Sequence, residues 1–483
     1  MALAVCLLPV LVVRYVPLID LPGHLGRLHI LQHYAENPAF QQRYQLVHRP
    51  LPNMLIDLFS PLEAWLRMED VGRLFVIVSI VLFALGCAAM SRTLYGLITP
   101  FAVLAVFSQY NSMFFFGYVQ FQAGVGLFLI TLALWMRWRG HFNAFRLAAL
   151  AILSVATYLA HLGGYAFLGL SAAFLVVLDF SRKRRWDRSA VAGIVAMLGP
   201  VFLFAFAHGP YGNVATPEWA PVTLKAQHLL IHVMGFNGVV DASFAAVLLV
   251  AAVIVLSKGQ IRFHPELGPL AAFFGVLFLV FPYFIGDGPD ADTRVFVATF
   301  VLALLCCRIR LPQPAGRILF SIVFAALVLR IGYIGSVWIQ QDGLIASNVE
   351  FFDQIPIGAR VYGIVTLGPT KLTVGLNQAK LERPLIHALG WATIRRNILT
   401  PSVFTVEGQH PVFERTGQWA FSGGAVPDAS GWNQILRNYD FIWYYGTDQD
   451  VLRQLHLYGK LVGTNGKGSL YRIGDAQSSA NGG

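Results

Sequence analysis

The chain has 483 residues, of which 56% are hydrophobic and only 12% are charged. Soluble globular domains carry about 25% charged residues, so a chain this long and apolar cannot be a soluble enzyme. The net charge of +10 does not indicate a nucleic-acid partner, because its excess lies among apolar segments. Residues 1–338 hold 23 Lys or Arg and 14 Asp or Glu, against 12 and 11 in residues 339–483. The composition therefore predicts an α-helical polytopic membrane protein.

Apolar segments recur through residues 1–338 and predict a transmembrane domain. A helix that crosses the bilayer core needs about 20 mostly apolar residues. Segments of this kind predict about eleven helices, near residues 3–19, 72–91, 94–110, 115–136, 146–161, 164–180, 189–207, 241–257, 267–285, 293–309 and 317–338. The second and third adjoin at Ser91–Leu94, which predicts a two-helix hairpin there.

Basic residues in the short connecting loops predict the orientation. Cytoplasmic loops of membrane proteins carry an excess of Lys and Arg. Alternate loops here carry most of them: Arg92; Arg137, Arg139 and Arg146; Arg182, Lys183, Arg184, Arg185 and Arg188; Lys258 and Arg262; Arg308, Arg310 and Arg317. This pattern predicts a multi-pass protein of the plasma (inner) membrane, with its N-terminus in the cytoplasm and everything after residue 338 outside. The first apolar segment lacks a basic start and a cleavage site, so we expect an uncleaved helix.

Three outer loops follow from this orientation. The first, residues 20–71, is long. Its stretches His24–Glu36 and Leu51–Met68 place apolar residues at helical spacing, which is typical of helices that lie flat in the membrane interface. The second covers residues 208–240, and the third is a short acidic loop after the ninth predicted helix.

Residues 339–474 predict a small extracytoplasmic α/β domain. The dipeptide Asn465-Gly466 separates two short extended segments and is typical of a β-hairpin turn. The polar residues 475–483 predict a disordered tail. The other predicted elements are a helix near 342–354, strands at Ala359–Thr366 and Tyr439–Tyr445, and a short helix near 448–456.

Polar residues of the membrane part gather at its predicted outer face. Ionisable groups at this depth are costly and usually mark a functional path or site. The candidates are Asp20, His24 and Arg27 after the first helix, His161 and His208 at the ends of later helices, and Asp287, Asp290, Asp292 and Arg294 around the third outer loop.

The segment Pro17–Arg27 is the strongest of these candidates. Asp20 follows an apolar segment, and Pro22 breaks the helix just beyond it. A carboxylate in this position stays ionised yet shielded, which suits a general base or a metal ligand. His24 and Arg27 are three residues apart and would share one face of a restarted helix. The alternative interpretation makes Asp20 a helix cap.

The stretch Pro17-Leu-Ile-Asp-Leu-Pro-Gly-His24 places an acidic residue just after the first helix, in a long outer loop. This arrangement resembles the GT-C glycosyltransferases, as do the many helices and the extracytoplasmic C-terminal domain. The resemblance implies transfer of a sugar from a polyprenyl-phosphate carrier to a glycan, lipid or protein acceptor on the outer face. It also implies catalysis by the first-loop acid, a role that falls to Asp20.

That chemistry predicts further roles. A cation must offset the charge that develops on the leaving phosphate, and Arg294 is the candidate. We expect Asp20 and Arg294 to line one cavity. The predicted substrate-binding residues are His24, Arg27, His161, His208 and Arg294.

A divalent cation is the cofactor that the sequence suggests. The third outer loop supplies carboxylate oxygens that suit Mg²⁺ or Mn²⁺. A solvated acidic turn explains the same residues. The candidate ligands are Asp287, Asp290 and Asp292.

Other functions remain open from sequence. A multi-pass transporter or flippase would carry ionisable groups near the middle of the membrane, whereas the candidates here lie at one face. A cell-surface polysaccharide polymerase or ligase shares the carrier-linked donor and differs only in its acceptor. A structural scaffold is the third alternative.

Overall fold

The computed structural model describes residues 1–207, 215–286, 288–368, 375–406, 408–415 and 426–473. It is mostly helical, with 65% of its residues in helices. The structure therefore confirms the helical class that the composition predicts.

The helices are α1 (Ala2–Leu11), α2 (Leu21–His33), α3 (Pro38–Arg43), α4 (Met68–Tyr95), α5 (Pro100–Phe107), α6 (Ser112–Phe116), α7 (Val119–Trp138), α8 (Ala144–Ala160), α9 (Leu162–Lys183), α10 (Arg188–Ala196), α11 (Gly199–Ala207), α12 (Val222–His228), α13 (Gly238–Lys258), α14 (Leu267–Val280), α15 (Ala291–Cys306), α16 (Ala315–Phe351), α17 (Gln378–Glu382), α18 (Leu389–Arg396), α19 (Ala429–Asn438) and α20 (Gln449–Tyr458). The strands are β1 (Tyr44–Leu46), β2 (Ala215–Glu218), β3 (Gln260–Phe263), β4 (Phe284–Gly286), β5 (Cys307–Arg310), β6 (Val361–Val365), β7 (Val412–Glu414), β8 (Phe441–Tyr445), β9 (Gly459–Asn465) and β10 (Gly468–Ile473).

Six helical segments of the described chain are long and apolar enough to cross a membrane. On α13, Leu249 and Leu256 are 66% and 73% exposed, which would be costly in water and is favourable in lipid. The count of about eleven spans stays a prediction. The six segments are Met68–Tyr95, Val119–Trp138, Leu162–Lys183, Arg188–Phe206, Gly238–Lys258 and Ala315–Gln354.

The first predicted helix is shorter than expected, because α1 ends at Leu11 and not near residue 19. The backbone N–H groups of Arg14 and Tyr15 donate to the Asp342 carboxylate, at 3.2 and 2.6 Å, and not to helical carbonyls. Pro17 then offers no N–H and disfavours helix before it. Hydrogen bonds to a carboxylate that is distant in sequence, together with Pro17, thus override the apolar pattern.

The turn predicted at Ser91–Leu94 lies a few residues later in the structure. Helix α4 continues to Tyr95, and the chain turns at Gly96, whose φ of 74° is the left-handed conformation that glycine adopts without strain. The backbone N–H of Thr99 donates to Ser91 Oγ at 2.9 Å, which ties the turn to α4. Thr99 then caps α5.

The chain divides into two compact units. Unit one comprises residues 1–10, 49–55 and 75–335, and unit two comprises residues 11–48, 56–74 and 336–483. Parts of the predicted first outer loop thus belong to the same compact unit as the C-terminal residues. The predicted boundary near residue 338 falls within α16, which continues to Phe351.

Unit two contains a four-stranded sheet in the order β6-β8-β10-β9, in which β6 and β8 are parallel and the other pairs are antiparallel. The predicted strands at Ala359–Thr366 and Tyr439–Tyr445 correspond to β6 and β8, and the helix near 448–456 to α20. The turn at Asn465-Gly466 joins β9 to β10, with Gly466 at a φ of 60°. That these elements form a separate extracytoplasmic domain stays a prediction.

Helix α2 is a buried helix of unit two, not the helix lying flat in the membrane interface that is predicted for His24–Glu36. Of its residues, Leu25, Arg27, Leu28 and Ile30 have no exposed surface. It packs against α18 and the 3₁₀ helix Asp57–Ala64, all within unit two. Its alternation of apolar and ionisable residues therefore reflects buried polar contacts and not a membrane interface.

Candidate functional site

Asp20 lies immediately before α2 in unit two. The helix starts at Leu21 with Pro22 in its first turn, where the missing proline N–H costs nothing. Although Asp20 occupies the capping position, its side chain makes no capping hydrogen bond. Asp448 provides the contrast, because its carboxylate accepts from the backbone N–H of Asp450 at 2.9 Å. Capping therefore does not explain the acidic residue at position 20.

The carboxylate of Asp20 faces a buried histidine of the C-terminal segment. Asp20 Oδ1 is 3.7 Å from His387 Nε2, and the two side chains are 16% and 6% exposed. Burial lowers the pKa of His387 to about 4, so its imidazole is neutral at pH 7. A neutral imidazole beside a carboxylate does not neutralise its negative charge. The pair thus provides a partly exposed carboxylate with a fixed neighbour.

Arg27 lies wholly inside unit two, where its partner is Asp57. Its Nε and Nη2 donate to the two carboxylate oxygens of Asp57, at 2.8 and 2.9 Å, and neither side chain is more than 2% exposed. A guanidinium held in this bidentate way is a structural ion pair. The predicted substrate-binding role of Arg27 is therefore not supported, because its charge is compensated and out of reach.

His24 contacts the same guanidinium. Arg27 Nη1 lies 3.1 Å from His24 Nδ1, and a guanidinium can only donate, so Nδ1 is the acceptor. Burial and then the Arg27 charge lower the pKa of His24 well below its usual value. His24 is partly buried and keeps some contact with solvent.

Three histidine rings lie around the ring of Phe404. The ring centroid of Phe404 is 4.6 Å from that of His24, 5.0 Å from His387 and 6.4 Å from His410. The sequence prediction missed His387, Phe404 and His410, because they belong to no motif and lie more than 300 positions from α2.

A second cluster lies further along α2. His29, His33 and Glu63 place one ligand atom each within 4.8 Å of one another. In the part of the chain that the structure describes, this is the single group of three or more side chains with the spacing of a metal site. The sequence prediction missed it, since Glu63 comes from a different segment.

The remaining candidates that the structure describes lie in unit one. One of them, Asp292, forms a buried ion pair. Lys225 Nζ is 3.0 Å from Asp292 Oδ2, and His228 Nδ1 is 3.5 Å from Asp292 Oδ1. The sequence prediction of Asp292 as a metal ligand is not supported, because an ammonium group already compensates its charge. Neither Asp290 nor Asp292 belongs to a metal-site cluster among the described residues.

Arg294 lies over an aromatic ring in unit one. Its guanidinium carbon is 4.9 Å from the ring centroid of Tyr118, whose hydroxyl donates to the Asp290 carboxylate. Arg294 Nε is buried and has no hydrogen-bond partner among the described residues. The expectation that Arg294 and Asp20 line one cavity stays a prediction.

His161 has a capping role. It precedes α9, and its Nδ1 accepts from the backbone N–H of Gly163 at 2.9 Å. Capping accounts for the observed contact of His161. Its predicted role in substrate binding stays a prediction. The candidates His208 and Asp287, and the predicted tail at 475–483, lie outside the described residues.

Comparison of the chain with protein-family models, with curated proteins and with solved structures found no match.

Proposed function

We propose that the protein is a membrane glycosyltransferase that moves a sugar from a polyprenyl-phosphate carrier to an acceptor on the extracytoplasmic face. The observation that carries this proposal is the carboxylate of Asp20. It begins a helix without capping it, stays partly exposed, and faces the neutral imidazole of His387. The resemblance of the Pro17–His24 stretch to GT-C enzymes supplies the reaction class.

In the proposed reaction, a hydroxyl oxygen of the acceptor attacks the anomeric carbon of the donor sugar. The bond between that carbon and the phosphate oxygen breaks, and polyprenyl phosphate leaves with the electron pair. Asp20 takes the hydroxyl proton as general base. His387 is a positioning residue, and its 3.7 Å separation from Asp20 would shorten when substrate binds, as catalytic hydrogen bonds often do.

The leaving phosphate needs a positive partner, and we assign that role to Arg294. The support comes from its own surroundings, in which Tyr118 holds the guanidinium by a cation–π contact and Nε is left without a partner among the described residues. Arg27 cannot serve, because Asp57 already binds it. The proposal includes a divalent cation as a candidate cofactor of the reaction, either Mg²⁺ or Mn²⁺.

A transporter or flippase is the main competing function. Arg330 lies within α16 and has the position expected of a charge in a transport path. Its Nη1 donates to the backbone carbonyl of Tyr110 at 3.0 Å, and only 4% of the residue is exposed. This contact explains Arg330 as a structural residue, which favours the enzyme.

The test is turnover of a carrier-linked donor by purified full-length protein in liposomes. Polyprenyl phosphates with different radiolabelled sugars are supplied with crude glycan and lipid acceptors, with Mg²⁺, with Mn²⁺ or with EDTA. We expect release of polyprenyl phosphate and a labelled product from at least one donor. Movement of intact donor between leaflets without cleavage would contradict the proposal and indicate a flippase.

A further inference from the structure

We propose that His29, His33 and Glu63 bind a transition-metal ion of the zinc class. This site is separate from the proposed catalytic pair Asp20–His387, and it would exist whether or not the protein transfers sugars. The three side chains come from α2 and from the 3₁₀ helix Asp57–Ala64, both within unit two.

Helical spacing brings the two histidines together. His29 and His33 are four residues apart on α2, so they lie on one face of the helix, and their ring centroids are 4.5 Å apart. Glu63 reaches both rings with one oxygen, because Oε1 is 2.6 Å from His29 Nδ1 and 3.5 Å from His33 Nε2. Two imidazoles and one carboxylate are a ligand set found in zinc enzymes.

The hydrogen bonds of His29 favour a cation beside its Nδ1. His29 Nε2 is 2.7 Å from the side-chain oxygen of Asn397, and Nδ1 is 2.6 Å from Glu63, so both ring nitrogens face oxygen acceptors. A neutral imidazole has only one N–H and cannot donate to both. A ring protonated on both nitrogens would satisfy both contacts. A metal ion on Nδ1 would also satisfy them, since Nε2–H then donates to Asn397, as the second nitrogen of a metal-bound histidine usually does.

Asn397 is held in the position that this contact requires. It ends α18 with a φ of 51°, a left-handed conformation that asparagine tolerates better than most residues. The corresponding outer partner of His33 is Glu36, whose Oε2 is 3.7 Å from His33 Nδ1. Each histidine therefore has one nitrogen towards Glu63 and the other towards an oxygen acceptor.

Burial and charge also fit a metal ion. Glu63 Oε2 is buried and has no hydrogen-bond partner among the described residues, so one carboxylate oxygen is left unsatisfied. His33 is 39% exposed, which leaves an open side for entry and for a water ligand. Imidazole ligands favour zinc, cobalt or nickel over magnesium and calcium.

The three ligand atoms lie within 4.8 Å of one another, so modest shifts of the side chains would bring them to the spacing of a tetrahedral zinc site. Bonds of about 2.0–2.1 Å place neighbouring ligand atoms about 3.3 Å apart. The 3.5 Å between His33 Nε2 and Glu63 Oε1 already fits this value. The 2.6 Å between His29 Nδ1 and Glu63 Oε1 must widen, which a small rotation of the Glu63 carboxylate achieves. Three protein ligands leave one position for water or for another ligand.

The test measures zinc binding by the full-length chain, purified in detergent with its affinity tag removed and stripped of metal by a chelator. Zinc chloride is titrated against a chromophoric competitor, and cobalt chloride gives the absorption of a four-coordinate site. The variants are His33→Ala and Glu63→Gln, both of which leave the buried His29 in place. The matched control is His48→Ala, an exposed histidine of the same unit.

We expect wild type and His48→Ala to bind one zinc ion per chain, and each ligand variant to bind at least about 100-fold more weakly. Thermal unfolding confirms that the variants are folded, and added zinc should raise the Tm of wild type but not of His33→Ala. Unchanged affinity in His33→Ala and Glu63→Gln, or no saturable binding by wild type below about 0.1 mM zinc, would overturn the site. Neither outcome depends on glycosyl transfer, so failure here and failure of the proposed function are distinguishable.

Discussion

Arg27 and Asp57 form an ion pair that is almost completely removed from solvent. Removing water from two charges is expensive, and only their close bidentate contact compensates for the cost. Burial raises the pKa of the Asp57 carboxyl, and the Arg27 charge opposes that rise. The pair therefore depends on both partners being present.

We predict that Arg27→Met destabilises unit two by about 3–5 kcal/mol, because it leaves the Asp57 carboxylate buried without its partner. The double variant Arg27→Met/Asp57→Leu should recover most of this loss. The control is Arg453→Met, which removes an exposed ion pair with Asp450 and should change stability by less than about 1 kcal/mol. Thermal unfolding in detergent is the measurement, and equal effects of Arg27→Met and Arg453→Met would contradict the assignment.

His387 predicts a specific dependence of stability on pH. Its pKa is about 4 in the folded protein and about 6.5 in an unfolded chain. Between these values the unfolded state binds the extra proton, so stability is full above about pH 6.5 and falls as the pH drops towards 4, by about 1.4 kcal/mol per unit. Unfolding curves of wild type and His387→Gln across this range test the prediction. An equally steep decline in the variant would show that His387 is not responsible.

Single residues show what sequence reasoning could and could not find. Asp20 stood out because a carboxylate at the end of an apolar segment is energetically costly at membrane depth and usually has a functional role. Arg27 was selected by the same rule, although the structure shows that it forms a buried ion pair with Asp57. His387 and Phe404 gave no such signal, because contact between distant segments follows only from the fold.

At the scale of elements, α2 and α18 approach closely through glycine. A Cβ added to Gly390 would lie 2.1 Å from the backbone oxygen of Pro22, and one added to Gly26 would lie 3.2 Å from the backbone oxygen of Gly390. Backbones this close leave no room for a side chain. The contact sets the position of Asp20, which lies two residues before Pro22.

We predict that Gly390→Ala destabilises the protein by about 1–3 kcal/mol or more, because the new methyl group must push α2 and α18 apart. The matched control is Gly343→Ala in α16, where an added Cβ has no heavy atom within 4 Å. That change should be neutral or stabilising by up to about 1 kcal/mol, since alanine favours helix. Equal melting temperatures for both variants would mean that the helices do not pack as described.

Elements with a strong local signal were predictable. The turn at Asn465-Gly466 and the flanking strands follow from residue chemistry at each position. The end of α1 was not predictable, because an Asp342 carboxylate distant in sequence binds the backbone there. The buried state of α2 was missed for a similar reason, as its amphipathic pattern suits an interface helix as well as a core helix with paired charges.

At the scale of the whole molecule, alternating basic loops predict that the C-terminal segment is extracytoplasmic. Alkaline phosphatase, which is active only after export, should be active when fused to the C-terminus of the full chain. A fusion after Arg184, in a predicted cytoplasmic loop, should be inactive and serves as the control. The reverse pattern of activities would place Asp20 on the cytoplasmic side and contradict the proposed reaction there.

The helical class of the molecule was predictable from composition, whereas the make-up of its compact units was not. Unit two comprises residues 11–48, 56–74 and 336–483. Hydropathy assigns these three segments to different regions of the protein, namely the first helix, the first outer loop and the C-terminal domain. Hydropathy reports whether a segment suits lipid, and carries no information about which distant segments pack together. The contacts of Asp20 therefore required the structure.

The central claim is that Asp20 is the catalytic base, and one substitution tests it most directly. Asn has the size of Asp but cannot take up a proton at neutral pH, so Asp20→Asn should lower the rate of sugar transfer from polyprenyl phosphate by about 10²–10⁴-fold. Its melting temperature should remain close to that of wild type, because Asn keeps most of the hydrogen bonding of Asp and no capping bond is lost. Asp448→Asn, a true cap in the same unit, should retain both activity and stability, since Asn caps nearly as well as Asp. Transfer by Asp20→Asn within about threefold of wild type would contradict the account.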